Sequence, residues 1–454
     1  MISTQFSNIY FLGIGGIGMS ALARYFHTKG FKVAGYDKTI TPLIKDLMAE
    51  GIAIHTSDMG EKVESIVGTP KDTLVVVTPA VPKSLKELKV LEAKGFTLRK
   101  RAQVLGEISK DFKTLGVAGT HGKTTTSTLL AHVLSHSAEK CNAFLGGVSS
   151  DFNSNLVINE NSPWMVVEAD EFDRSFHQLT PFSSIITSVD ADHLDIYEDT
   201  SKFKDAFQDY ANLIHSEGSI VLHHSVQLDA KAKIITYGVG DELVVDYQGV
   251  KLRVEDSRFV MDIKTPYGDF SNIVLGLPGV HNAENALAVI ALCDTIGLSV
   301  EEVKMSIGNF KGVKRRFEYI LSQKKITYID DYAHHPTAIK GLITSVRLLH
   351  PESPIYLIFQ PHLYSRTQDF MDEFAEALGT ADYVYLLPIY PARELPIKGV
   401  TSEALSTLIP SNAKFGNAKM MFEWLEKVQN GVVLTVGAGD ISQYVNPIKS
   451  MLSS

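Results

Sequence analysis

The chain has 454 residues, 44% of them hydrophobic and 21% charged, a length and mix that exclude a disordered polymer and a single small domain. Its formal net charge is -9, with no block of like charges, which argues against nucleic-acid binding through a basic face. Two cysteines, Cys141 and Cys293, are too few for a disulfide framework or a cysteine-rich zinc site and read as small buried hydrophobes.

The N-terminal "MISTQFSN" lacks the basic start of a signal peptide. The first apolar run is broken by glycines and ends at Arg24, too polar for a membrane span. The expectation is a cytoplasmic protein with neither membrane nor nucleic acid as partner. Along the first hundred residues, strand-like and helix-like stretches alternate: "NIYFLGI", then "MSALARYFHTKG" with helical spacing, then "FKVAGYD" and "TLVVVTPAV". Such alternation predicts a parallel sheet with crossover helices. A second unit opens near Gly106, where "KTLGVAGTHGKTTTSTLLAHVLSH" reads as strand, glycine loop and long helix. "WMVVEADE" and "SSIITSVDADHLD" follow as apolar strands ending in acids or histidine. Between 219 and 275 the stretches become short and alternating, which predicts a small antiparallel sheet attached to the middle unit. "VHNAENALAVIALCDTIG" returns to helix, and from Lys314 onward "KITYIDDYAHHP", "PIYLIFQPHLYSRT", "YVYLLPIY" and "GVVLTVGAGD" give strands separated by helices. The fold class is therefore α/β in three domains: a Rossmann-like 1–105, a central P-loop 106–313 with the small antiparallel sheet, and a Rossmann-like 314–454.

The first loop, Gly13-Ile14-Gly15-Gly16-Ile17-Gly18, lets backbone approach a diphosphate, which the N–H groups of the next helix receive. Asp37 ends the following strand, where a Rossmann domain holds a ribose. The motif leaves NAD and other diphosphate-bearing nucleotides open. The second loop, Gly119-Thr120-His121-Gly122-Lys123-Thr124-Thr125, stands between strand and helix as an ATP loop must. Lys123 would neutralise the β- and γ-phosphates, and the Thr124 hydroxyl would ligate Mg²⁺. The first glycine of the usual P-loop falls at Val117 instead.

Two strand ends bring carboxylates toward that loop: Glu168, Asp170 and Glu171, then Asp190, Asp192 and Asp195 with His193. Hard oxygen donors suit Mg²⁺, although several of these acids are expected only to cap helices. His281, Asn282 and Asn285 open a helix, the two asparagines three apart and hence on one side. Arg315 and Arg316 mark a domain junction. Asp330, Asp331, Tyr332, His334 and His335 end one strand, and His362, Tyr364 and Arg366 the next. This is a plausible amino-acid site, since arginine holds a carboxylate bidentately. A zinc site is the competing reading of the three histidines, without the usual spacing.

In order, "GIGGIGMSALA", "GTHGKTTT", "VVEADEFDRSF", "DADHLDIY", "HNAENALA", "RRFE", "DDYAHHP", "FQPHLYSRT" and "GAGD" resemble the Mur ligases over the whole chain. The resemblance implies an ATP-dependent amide-forming ligase of peptidoglycan precursor synthesis. Its partners would be UDP-N-acetylmuramate, L-alanine and ATP, with Mg²⁺, as two ions, for cofactor. It implies that Gly15, Gly16, Ile17, Gly18, Met19, Ser20 and Asp37 hold the UDP-sugar. It gives Thr124, Glu168 and His193 to the metals, His281 to adenine, and Asn282 and Asn285 to the nucleotide. Lys123, Glu168, His193, Arg316 and Asp331 would be catalytic, the last two arriving from the third domain on closure. Tyr332, His334, His335, His362 and Arg366 would receive alanine. Where several relatives carry a carbamylated lysine, this chain has the region of Phe207, which is similar to the alanine-adding branch. Leu363 stands where that branch often has arginine. Alternatives are a ligase recycling murein tripeptide onto the same sugar, an NAD(P)-dependent oxidoreductase using the first loop, and a noncatalytic nucleotide-dependent binding module.

Overall fold

The computed structural model describes residues 5–190, 200–392, 394–410 and 412–453. Three sheets organise them. The first contains β1 (Asn8–Leu12), β2 (Lys32–Tyr36), β3 (Ala53–His55), β4 (Thr73–Val77) and β5 (Thr97–Lys100) in the order β3-β2-β1-β4-β5. Every pair in it is parallel, Leu12 lying beside both Tyr36 and Val77. The order reverses at β1, so the crevice lies beyond its carboxyl end. There the chain turns through Gly13, at φ +83, into helix α1 (Ile17–Thr28).

The second sheet has ten strands: β6 (Lys113–Ala118), β7 (Asn142–Ser149), β8 (Ser154–Val157), β9 (Trp164–Glu168), β10 (Ser183–Ile186), β11 (Ser219–His223), β12 (Lys233–Val239), β13 (Tyr247–Glu255), β14 (Arg258–Thr265) and β15 (Gly268–Val274). Their order is β15-β14-β13-β12-β11-β10-β6-β9-β7-β8. The stretch from 219 to 275 differs from its sequence reading in one respect. β11, β12 and β13 continue the central sheet in parallel instead of standing apart from it. The antiparallel character is confined to β13–β15, joined by tight turns. One of these, Asp256-Ser257, has φ +48 and +60, the left-handed pair a two-residue hairpin demands.

The third sheet contains β16 (Glu318–Ser322), β17 (Ile326–Asp331), β18 (Ile355–Phe359), β19 (Tyr383–Leu386), β20 (Asn412–Phe415) and β21 (Gly431–Val436), ordered β16-β17-β21-β18-β19-β20. Only β16 runs antiparallel to its neighbour.

Packing divides the chain into two compact units: Met1–Lys251 with Asp262–Ile273 and Glu284–Lys311, and Leu252–Met261 with Val274–Ala283 and Gly312–Ser454. The first sheet and most of the second thus share one unit, while Leu252–Met261 of β13 and β14 falls in the other. Arg24 on α1 helps join the first two sheets: it forks onto Glu50 at 2.6–2.9 Å and reaches Asn155 on β8. Asn155 in turn donates to Ser20 Oγ at 2.9 Å and to Ile17 O at 2.6 Å. Among the described residues no helix is long and apolar enough to cross a membrane.

Candidate active site

The glycine turn after β1 is built by close approaches. Gly15 N donates to Asp37 Oδ2 at 2.8 Å, and a Cβ on Gly15 would fall 2.8 Å from that oxygen. Asp37, expected at a ribose, also accepts from Thr39 N at 3.2 Å and so braces the loop itself. Met19 and Ser20 are buried, with Ser20 Oγ donating to Ile17 O. Gly16, Ile17 and Gly18 keep partial or full exposure at the mouth of the turn.

The second loop lies between β6 and helix α3 (Lys123–His136), with Gly119 at φ +135 and Gly122 at φ +77. Both conformations are strained for any side chain bearing a Cβ. The chain after β10 laces the loop in place. Thr120 N donates to Ser188 O at 3.2 Å, His121 N to Ser188 Oγ at 3.0 Å, and Thr120 Oγ1 to Asp190 O at 2.7 Å. Thr125 is turned into the core, while Thr124 remains part-exposed at the first turn of α3. Asn285, on helix α4 (Val280–Thr295), presses on the loop: its Oδ1 lies 2.7 Å from where a Gly122 Cβ would stand.

Glu168 ends β9 directly beside Val117 of β6, which places its carboxylate next to the loop. Gly146 makes room for it, since a Cβ there would lie 2.0 Å from Glu168 Oε2. The Thr124 hydroxyl and this cradled carboxylate are hard oxygen donors and fit a Mg²⁺ ion. His193, Asp192 and Asp195, the other expected contributors, lie outside the described residues.

Arg101, to which the motif reading gave no role, connects the loops through the strand-end carboxylates Asp170 and Glu171. Arg101, the first residue of helix α2 (Arg101–Ser109), lies against Gly18, its Cδ 2.9 Å from where a Cβ there would stand. Its Nη2 donates to Asp170 Oδ2 at 3.2 Å. Next to Asp170, Glu171 accepts from Lys123 Nζ at 2.8 Å. Burial pushes the Glu171 carboxyl above its usual range, and Lys123 opposes the rise. No sequence signal distinguished Glu171 from its acidic neighbours; only the fold turns it to the lysine.

In the second unit the two aspartates after β17 part company. Asp330 is buried and accepts from Thr435 Oγ1 at 2.6 Å and Arg315 Nε at 3.3 Å, a structural role. Asp331 accepts from Phe317 N and Ala333 N, each at 2.7 Å. It thereby pins the Arg315–Phe317 turn, where Arg315 and Phe317 have φ +64 and +47, and so positions Arg316. The guanidinium carbons of Arg315 and Arg316 stand 5.0 and 5.1 Å from the Tyr332 ring centre. His334 Nδ1 donates to Tyr332 O at 2.9 Å, which leaves Nε2 as the acceptor. Burial, with Arg366 and Arg316 nearby, drives the His334 pKa down to about 4, so the ring is neutral.

His362 stacks on Tyr390 at 5.7 Å, and Arg366 Nη1 stands 3.4 Å from His362 Nδ1. Tyr332, His334, His362 and Arg366 are thus gathered, with Tyr390 added by the fold. His335 packs on Phe370, the ring centres 4.8 Å apart. Leu363 has φ +72, and its N–H donates to Tyr390 O. His281 lines a cavity of about 360 Å³ with Pro336, Thr337 and Lys340 at the start of helix α5 (Pro336–Leu349). Asn282, three residues before Asn285 on the same helix, donates from Nδ2 to Pro278 O at 2.7 Å, which ties the start of the helix to the loop before it.

Known proteins resemble the chain along its whole length. The family model described as Mur ligase family, catalytic domain, matches residues 8–113; Mur ligase middle domain matches 117–293; and Mur ligase, glutamate ligase domain, matches 315–439. The chain is 46% identical to a UDP-N-acetylmuramate–L-alanine ligase of Porphyromonas gingivalis, covering 98% of this chain and 99% of the relative. It is 44% identical to one of Cytophaga hutchinsonii, covering 98% and 97%. The crystal structure of the UDP-N-acetylmuramate–alanine ligase of Thermotoga maritima superposes with a TM-score of 0.84 at 28% identity, covering 98% and 99%.

Proposed function

The chain belongs to the Mur ligase family, and we propose from that premise that it joins L-alanine to the lactyl carboxylate of UDP-N-acetylmuramate as ATP is cleaved to ADP and phosphate. The observation that carries the reading is the full-length likeness to ligases named for those two substrates. It also explains why one unit holds two glycine loops: one nucleotide is substrate and the other activator.

A carboxylate resists amines because its leaving group would be oxide. Transfer of the γ-phosphoryl group onto a carboxylate oxygen makes an acyl phosphate. The alanine amine then attacks the carbonyl carbon, and phosphate leaves with one of the original carboxylate oxygens. Each step crowds negative charge, and Lys123 offsets it. Thr124 and Glu168, with His193, would hold Mg²⁺, which supplies further charge neutralisation at the transferring phosphoryl group. Asn285 steadies the turn at Gly122. Arg366 would take the alanine carboxylate, with Tyr332 and neutral His334 bounding the methyl group, and Asp331 would keep Arg316 aimed. Residues 1–105, 106–313 and 314–454 would serve the UDP-sugar, ATP and the amino acid in turn, in a cytoplasmic enzyme.

The experiment is phosphate release from ATP with Mg²⁺ and UDP-N-acetylmuramate, with each amino donor in turn. Release that requires L-alanine, with the amide product identified by mass, supports the reading. Release only with the murein tripeptide would move the assignment to the recycling branch. Oxidation or reduction of a nicotinamide cofactor without release would end the ligase reading.

A further inference from the structure

Lys123 has no donor to spare. An ammonium carries three N–H bonds, and three acceptors surround it: Gly119 O at 2.6 Å, Glu171 Oε1 at 2.8 Å and Thr120 O at 3.3 Å. The carboxylate partner is only 1% exposed. A nucleotide phosphate that reaches this lysine must displace one of the three.

If it displaces Glu171, a buried carboxylate loses its cation, which is strongly unfavourable. If it displaces the more distant Thr120 carbonyl, carboxylate and phosphate share one cation and repel each other at short range. On either path the negative charge of Glu171 opposes phosphate binding. A neutral side chain of the same shape would not.

We propose that Glu171 is a nucleotide-site residue, an internal anion that occupies Lys123 while the loop is empty and competes with the phosphates of a nucleoside di- or triphosphate. The inference rests on the ATP reading above. Its consequence is a resting loop that keeps its lysine ordered and a nucleotide site weaker than the loop alone would provide. Because Glu171 follows Asp170, which Arg101 holds beside Gly18, the competing anion sits on the segment that links the two glycine loops.

The test is calorimetric titration of the full chain with a nonhydrolysable ATP analogue, ADP and adenosine. Mg²⁺ is present and the other substrates are left out, so chemistry does not enter. Glu171→Gln keeps the acceptor oxygen and removes the charge. Its affinity for the ATP analogue is expected to rise about tenfold, the scale of a typical site-to-site coupling. ADP should gain less, and adenosine, which has no phosphate, should not change. Glu171→Ala, checked for folding by circular dichroism, is expected to move in the same direction and guards against a glutamine variant that fails to fold. Unchanged or weaker binding of the ATP analogue in the folded variants overturns the inference, as does an equal change for adenosine. If the wild-type chain binds no adenine nucleotide, the ATP reading itself has failed, and the inference with it.

Discussion

Lys123 is the single side chain on which the nucleotide half of the account turns. Lys123→Ala should lower the rate of phosphate release by at least ~100-fold, the scale of losing a charged group that stabilises a developing charge. UDP-N-acetylmuramate binding, measured by calorimetry, should be retained. His334 offers a pH test. Its pKa in the folded chain lies near 4, below the ordinary histidine value, so between those two values the unfolded chain binds more protons. Stability from this group is therefore present above about pH 6.5 and is lost as pH falls toward 4. In urea unfolding at pH 7 and pH 5, the wild type should lose more stability than His334→Asn, which cannot titrate. An equal loss would show that His334 is not the group responsible. At this scale the sequence singles out Lys123, Thr124 and Arg366 because the expected chemistry dictates their residue types. It was uninformative where acids stand in a row. Glu168, Asp170 and Glu171 look alike in one dimension, yet the fold turns one into a cradle, one to Arg101 and one to Lys123.

Strands and turns decide where those side chains stand. β9 delivers Glu168 only because β7 carries glycine at 146. Gly146→Ala should therefore shift the carboxylate and abolish the Mg²⁺ dependence of ADP affinity, while UDP-sugar affinity stays the same. Titrations with and without the ion would read this directly. The α1–β8 junction makes a separate prediction. Asn155→Ala removes one partner each from Arg24, Ser20 Oγ and Ile17 O, although Arg24 keeps Glu50 and Ser20 Oγ still donates to Ile17 O, and should destabilise the chain by about 1–3 kcal/mol, the scale of losing buried hydrogen bonds of which one is to a charged group. Denaturant midpoints would measure it. Long apolar strands such as β4, β6 and β21 were legible as continuous runs. β5 (Thr97–Lys100) and β20 (Asn412–Phe415) were not. They are short and partly exposed, and they carry charge where a buried strand would carry valine or isoleucine. The segment from 219 onward shows the related limit: alternation identifies a strand but not the direction of its neighbour.

For the molecule as a whole, three parallel-rich sheets each bring a loop cluster to the carboxyl ends of their strands, the place where α/β sheets bind ligands. Two glycine loops lie in one unit and a histidine–tyrosine–arginine group in the other; in the proposed reaction the first would activate an acid and the second deliver an amine. The order of those loops and side chains along the chain was legible in the sequence. The internal ion pair at Lys123 and the separate duties of Asp330 and Asp331 required the three-dimensional arrangement. The most direct test of the account follows one atom. UDP-N-acetylmuramate labelled with oxygen-18 in its lactyl carboxylate would be turned over with ATP, Mg²⁺ and L-alanine, and the released phosphate analysed by mass. The account predicts one labelled oxygen in each phosphate, carried there through the acyl phosphate. Amide product accompanied by unlabelled phosphate would contradict it.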